Sequence, residues 1–303
     1  IGSDLTVELR NRFGADNVIA SDIKPATDEV MEGGPFEIVD VMKKERIAEV
    51  LDAYQITEIY HLAAILSGNA EKNPKWAWDI NMESLFNVLD LGREKGIKKI
   101  FWPSSMGAFG PTTPAVDTPQ LTIMEPTTVY GISKLAGERW CEYYHNKYGM
   151  DIRSLRYPGL ISYKAEAGGG TTDYAVEIFY DAIKSGKYEC FLSEDIALPM
   201  MYMDDAVKAT IDLMETDAEN VQVRSSYNLG GISFTAAELT EELRKYVPEL
   251  EVTYKPDFRQ EIAESWPRSI SDEQAQKDWG WKDEYDLEKM VKVMYENIKK
   301  KLL

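Results

Sequence analysis

Within the first 160 residues short apolar runs alternate with helical stretches, and no other feature constrains the fold as much. The runs are NVIASDI (17–23), FEIVDV (36–41), EIYHLAA (58–64), KKIFWPSS (98–105) and DIRSLRYPG (151–159). Between the later ones, apolar spacing predicts helices at about 43–53, 74–95 and 128–147. A further helix opens the chain, where Ile1, Leu5 and Leu9 recur every fourth residue and Gly14 ends the pattern. Strands that are apolar on both faces must be covered on both faces, which calls for a parallel sheet between helices. The expected fold class is therefore α/β, a doubly wound parallel sheet. In such sheets ligands collect at the carboxyl ends of the strands.

After about residue 160 the rhythm changes. Glycines cluster in EAGGGTTDY (166–174), helices are expected near 173–184 and 203–215, and short strands at SYNLG (226–230) and EVTYKP (251–256). A charged helix closes the chain from Asp286 to Lys301. Residues 1–160 are expected to bind a dinucleotide. Residues 161–303 form mainly a smaller, mixed α/β substrate lobe, with about 200–230 returning to the first domain. The 34 Lys+Arg against 52 Asp+Glu give a formal net charge of −18, which repels nucleic acid and anionic membrane and favours a small-molecule partner. No apolar run approaches the ~18 residues of a membrane span. With only His61 and His145, a histidine-rich zinc site and a Ser/His/Asp hydrolase are both disfavoured, and no metal is expected. Cys141 and Cys190 have no ligand spacing, so a reducing cytoplasm is expected.

The residues after each strand carry the chemistry. Asp22 ends VIASD about 20 residues after Gly2, where a carboxylate accepts hydrogen bonds from an adenosine ribose and repels a 2′-phosphate, favouring NAD over NADP. Alone, a strand-end turn aspartate is an equal alternative. Asp40 closes the next strand, either at the adenine edge or as a turn former. Small Ala63 and Ala64 suit a close approach of backbone to cofactor, and equally plain packing. His61 reads as a satisfied buried imidazole. Ser104 and Ser105 follow a strand, where a hydroxyl can hold a substrate oxygen and where serines also simply turn. Tyr130 stands four residues before Lys134 on one helix face. A nearby cation lowers a phenol's pKa and makes it a usable base; as a lone pair, a solvated Tyr/Lys is the commoner case. In GGGTTD, unpaired N–H groups of a Gly-rich turn can meet an anion, or the segment is a loop ending in a helix cap. The MMYM stripe (200–203) reads as core. Gly2 stands where the last glycine of a dinucleotide-binding turn falls, so a first strand and two glycines are expected to precede it.

In this order, VIASDI, HLAA, Asn81 in DINMESLFNVL, PSS, YGISK and RYPG resemble the extended short-chain dehydrogenase/reductase family, over essentially the whole chain. HLAAILSG, PSSMGAFGPTTP, SLRYPGLISYKAEAGGGTTDYAVEIFY, ALPMMYMDDAVKA and SWPRSI most resemble the branch that oxidises L-threonine at C3. The resemblance implies a Rossmann-type domain with NAD bound through Gly2, Asp22, Ile23, Lys24, Asp40, Val41, Leu62, Ala63, Ala64, Ser104, Tyr130, Lys134, Tyr157 and Leu160. It implies Tyr130 as base, Lys134 as its tuner and ribose ligand, Ser105 on the reacting oxygen, and Asn81 holding the lysine's water network. It assigns substrate recognition to Ser67, Ser105, Tyr130, Thr171, Thr172, Asp173 and Trp266, the last closing over L-threonine while 166–174 orders. A homodimer through 74–95 and 128–147 and handover of 2-amino-3-ketobutyrate to a CoA-dependent lyase are further implications. The alternatives are a sugar-nucleotide epimerase or dehydratase of the same fold, with Arg259 and Arg268 as diphosphate ligands, and a non-catalytic NAD-sensing regulator.

Overall fold

The computed structural model describes residues 1–165 and 167–303, so Glu166, the first residue of the segment expected to order, lies outside the described residues. Leu5 and Leu9 are buried on one stripe of the opening helix Gly2–Phe13. Gly14 ends it at φ 90°, with its N–H donating to Arg10 O. Arg10 is a buried cation that the apolar pattern conceals. Its guanidinium donates to Val30 O at 2.5 Å and Pro35 O at 2.6 Å, tying the helix to the turn before the next strand. A Cβ at Gly34 would sit 2.8 Å from Arg10 Nε, so the turn passes only as glycine.

Each predicted apolar run contains a strand, and the ladders are shorter than the runs. Ala20–Asp22 pairs in parallel with Phe36–Ile38. Glu58–Tyr60, Lys99–Phe101 and Ile152–Arg153 form a second parallel set. Ser104–Ser105, Leu155–Tyr157 and Tyr227–Asn228 form a third. Backbone bonds continue between ladders, His61 N to Phe101 O at 2.9 Å and Trp102 N to Arg153 O at 3.0 Å. The chain therefore stays extended toward the carboxyl edge, where it has ligands rather than strands to meet.

Ala197–Tyr202 links two environments. Residues 197–200 pair antiparallel with Ile232–Thr235, and residues 200–202 pair in parallel with Gly159–Ile161. Met200, Met201, Tyr202 and Met203 are all buried, so the MMYM stripe is core. A separate apolar core gathers the helices Tyr174–Ser185, Ala236–Arg244 and Leu287–Leu302 around Phe179, Leu239, Leu243, Met290 and Met294. The helix at Ala236 starts on a capping box between Thr235 and Glu238. A strap from the first half, residues 115–118, is bonded to 268–271, with Thr118 N donating to Ser269 O at 3.0 Å and Ser271 N to Thr118 O at 3.0 Å. No described helix is long and apolar enough to cross a membrane.

Candidate active site

Tyr130 lies in the first turn of the helix Val129–Tyr148, which three contacts fix in place. Thr128 caps it by accepting from Gly131 N. Glu71, on the neighbouring helix Ser67–Lys72, accepts from Val129 N at 2.8 Å. A Cβ at Gly131 would lie 2.1 Å from Gly107 O, so only glycine lets the helix start press on the turn that follows Ser105. Tyr130 and Ser105, distant in sequence, are thereby brought together, and the Ser105 hydroxyl also accepts from Gly107 N at 3.1 Å. Lys134 is buried and donates to Pro103 O at 2.6 Å. Its ammonium sits 4.6 Å from the Trp102 ring centroid and 5.5 Å from that of Tyr130.

The electrostatics differ from the expectation that Lys134 depresses the tyrosine. Desolvation pushes the Tyr130 phenol above its ordinary value, and the nearby Ser105 hydroxyl pulls it partly back. The lysine yields instead. Burial brings Lys134 down to about 8, opposed by Cys141 and Glu138. Two groups forced together out of water each favour the neutral form until further charge arrives in the site.

Asn81 has no direct hydrogen bond to Lys134 among the described residues. Its Oδ1 accepts from Ile65 N at 2.7 Å, and its Nδ2 donates to Ile65 O and Ser133 Oγ, both at 3.2 Å. It thus clamps the loop after Glu58–Tyr60 to the Tyr130 helix beside the lysine. His61 is buried with Nε2 3.1 Å from Ser84 Oγ, a satisfied imidazole. The Ser104 hydroxyl spends its proton on the buried Glu138, donating at 2.6 Å, which leaves its oxygen and its backbone for a cofactor. Tyr157 is likewise turned inward, its hydroxyl bonded to Thr210 and its ring packed near Phe101. Leu160 packs against the apolar clusters beside the first helix.

At the cofactor edge, Asp22 ends its strand exposed, with Oδ1 accepting from Lys24 N at 3.2 Å, and Ile23 leaves 66% of its surface in solvent. Asp40 is a turn former, its Oδ1 accepting from Met42 N at 2.9 Å beside half-buried Val41. Ile1 packs near Leu62 and Leu160, so the opening helix begins at the same edge as Ala63 and Ala64. Among the described residues no side chain caps that helix start. N–H donors for the pyrophosphate, an exposed apolar side chain and a strand-end carboxylate that accepts from a ribose are what a dinucleotide needs, so these residues fit NAD. Lys164, which sequence reasoning passed over, covers Asp4 in the first helical turn at 3.0 Å.

On the opposite side, Ser67 is buried at the start of its short helix. A Cβ at Gly68 would lie 2.4 Å from Gly169 O, so the glycine turn rests directly on this helix. Thr171 is buried, and its Oγ1 has no hydrogen-bond partner among the described residues. Thr172 packs so close to Gly159 that a Cβ there would meet its Cγ2 at 2.6 Å. The expectation of free N–H groups in the turn is corrected. Asp173 Oδ2 accepts from Gly169 N and Gly170 N, each at 2.7 Å, so the carboxylate closes the turn on itself. Trp266 is buried in the C-terminal apolar core, beside the strap rather than in an open cleft.

A parallel sheet whose carboxyl edge presents a tyrosine, a lysine one turn on and a serine, with a dinucleotide edge beside them, defines a nicotinamide-dependent enzyme of the Rossmann class. More particularly, the chain belongs to the NAD dependent epimerase/dehydratase family, which residues 1–230 match, and NAD is its cofactor. It is 46% identical over 303 residues to an uncharacterized epimerase/dehydratase of Staphylococcus saprophyticus, covering 99% of this chain and 94% of that protein. Among solved structures, a partial consensus L-threonine 3-dehydrogenase is 55% identical with a TM-score of 0.97, covering 99% of this chain and 96% of its own. The holo form of an L-threonine dehydrogenase from Cupriavidus necator is 53% identical with a TM-score of 0.96, covering 98% and 96%.

Proposed function

We propose that this enzyme oxidises L-threonine at C3 to 2-amino-3-ketobutyrate, with Tyr130 as general base. The observation that carries the chemistry is the meeting of the Ser105 hydroxyl, the Tyr130 phenol and the Lys134 ammonium at one sheet edge. Ser105 orients the C3 hydroxyl and Tyr130 takes its proton. When bound, NAD supplies the acceptor for the hydride leaving C3. Lys134 spends one N–H on Pro103 O, and its remaining donors would hold the nicotinamide ribose. Its charge stabilises the phenolate once the site closes.

For the substrate, 53–55% identity to L-threonine dehydrogenases along nearly the whole chain is the main support. Ser67, the unpartnered Thr171 hydroxyl and Thr172 are the groups we assign to its ammonium and carboxylate. The sugar-nucleotide alternative loses a ligand. Arg259 is engaged by Asp257 through Nε at 3.1 Å and Nη2 at 2.7 Å and stacks on Phe191, so it is not free for a diphosphate. We assign residues 1–160 to cofactor binding and 161–303 mainly to substrate. Ile132, Trp140, Tyr143 and Tyr148, all exposed on one long helix, suit a homodimer packed through it and its neighbour Pro74–Lys95. Free buried Cys141 and Cys190 suit the cytoplasm, where a CoA-dependent lyase would take the β-keto product.

The test is Tyr130→Phe, assayed with L-threonine and NAD. A loss of roughly 100-fold or more in kcat is expected for removal of a general base. Unchanged turnover contradicts the assignment.

A further inference from the structure

We propose that Arg156 is a positioning residue for the catalytic pair, holding the Glu138 carboxylate so that Lys134, one turn away, keeps an ammonium free of any carboxylate partner. The proposal deepens the reading above and rests on it. Tyr130, Lys134 and Glu138 follow at four-residue spacing on one helix, so they share a face. A carboxylate four residues from a lysine can close an ion pair with it. Here none joins the two among the described residues, because Glu138 is gripped from the other side. Arg156 Nε donates to Oε1 at 2.9 Å and Nη2 to Oε2 at 2.7 Å, while Ser104 Oγ donates to Oε1 at 2.6 Å. Arg156 is itself anchored, with Nη1 donating to Asn228 Oδ1 at 2.9 Å and Gln120 O at 3.1 Å. Such a two-point grip fixes the plane of the carboxylate, which a lysine could not do.

Lys134 is left with a carbonyl and the Trp102 face. The titratable groups around it are Tyr130, Glu138 and Cys141 on its own helix and His61 from the end of Glu58–Tyr60. Cys141 is pushed up by burial and stays a thiol. His61 is pushed down to about 4, first by burial and then by Lys134 itself, and stays neutral. Glu138 is thus the carboxylate whose position decides whether Lys134 is neutralised. Without Arg156, the cation one helical turn away, Lys134, is left to pair with it. That pairing would raise the lysine's pKa and cancel the charge that favours the Tyr130 phenolate, so the acid limb of the rate profile moves to higher pH.

The experiment compares wild type, Arg156→Met and Glu138→Gln/Arg156→Met. One readout is the pH dependence of kcat with L-threonine and NAD. The other is the titration of Lys134 in the cofactor-free protein, followed by NMR with carbon-labelled lysine and assigned with Lys134→Met. Arg156→Met is expected to raise the lysine's pKa and the acid limb by about one pH unit, roughly a tenfold loss of rate on that limb. The double variant has no carboxylate to misplace and returns both toward wild type, a rescue that general loosening of the fold would not produce. If Arg156→Met does not accumulate folded, Arg156→Gln carries the same test with the same sign, because it too removes the cation and the two-point grip on Glu138. An unmoved lysine titration in the single variant, or no return in the double, overturns the proposal. Turnover surviving in Tyr130→Phe would instead overturn the reading on which it rests.

Discussion

Thr171→Val should separate stability from substrate binding, because the Thr171 hydroxyl is buried and has no partner among the described residues. A buried hydroxyl without a hydrogen bond costs roughly 1–3 kcal/mol, and replacing it with an apolar group of the same shape removes that cost. The free enzyme is therefore expected to gain up to about 1 kcal/mol, or roughly 2 °C in Tm for a chain of this length. If the hydroxyl serves a charged group of L-threonine, the variant also loses about 1.5–3 kcal/mol of binding, a tenfold to hundredfold drop in kcat/KM for threonine. The NAD dependence should barely change. Tyr174→Phe is the control, since the Tyr174 hydroxyl is also buried and unpartnered among the described residues but carries no assigned role. It should stabilise without altering kinetics. Thermal unfolding of the cofactor-free protein and initial rates against each substrate provide the readouts. A Thr171→Val enzyme that is less stable yet equally active would refute the reasoning on both counts.

Three further outcomes follow from the geometry. Gly68→Ala places a Cβ 2.4 Å from Gly169 O, so the glycine turn must retreat by about 1 Å; overpacking costs about 1–3 kcal/mol, and the displaced threonines cost up to ~100-fold in kcat/KM for L-threonine. Equal kinetics would show that the turn does not touch the substrate. Asp22→Ala should raise KM for NAD roughly tenfold and admit NADP, measured as the ratio of the two kcat/KM values; an unaltered ratio would leave Asp22 a turn residue. Asp205 is pushed up to about 6, first by burial, against backbone N–H bonds from Glu284 and Tyr285. The folded protein binds this proton more tightly than the unfolded chain, so its stabilising effect is present below about pH 4 and lost as pH rises through 6. Relative to wild type, Asp205→Asn should gain up to about 3 kcal/mol between those limits in urea unfolding, and a gap independent of pH would exclude the effect.

What the sequence revealed was mostly local or periodic. The first helix with Leu5, Leu9 and Gly14, the two long helices and the buried MMYM stripe follow from spacing and capping alone. The strand runs were longer than the ladders because the same apolar residues serve strand and ligand edge, and periodicity does not mark where pairing stops. The side-chain pairings that spacing does not show join residues far apart in sequence. Ser104 turns to Glu138 and Arg156 joins Asn228, residues that only the sheet order brings together. The burial of Arg10 is not legible in the sequence because its acceptors are carbonyls, which leave no trace in residue type. Asp173 had the residue type of a helix cap, but two glycine N–H groups claimed it first.

The most direct test of the central claim is the initial rate of NADH formation by the purified chain from L-threonine and NAD, run beside L-serine, NADP and UDP-glucose. Rapid NADH formation from L-threonine with NAD, abolished by Tyr130→Phe, is the predicted result. Epimerisation of UDP-glucose with no oxidation of threonine would contradict it.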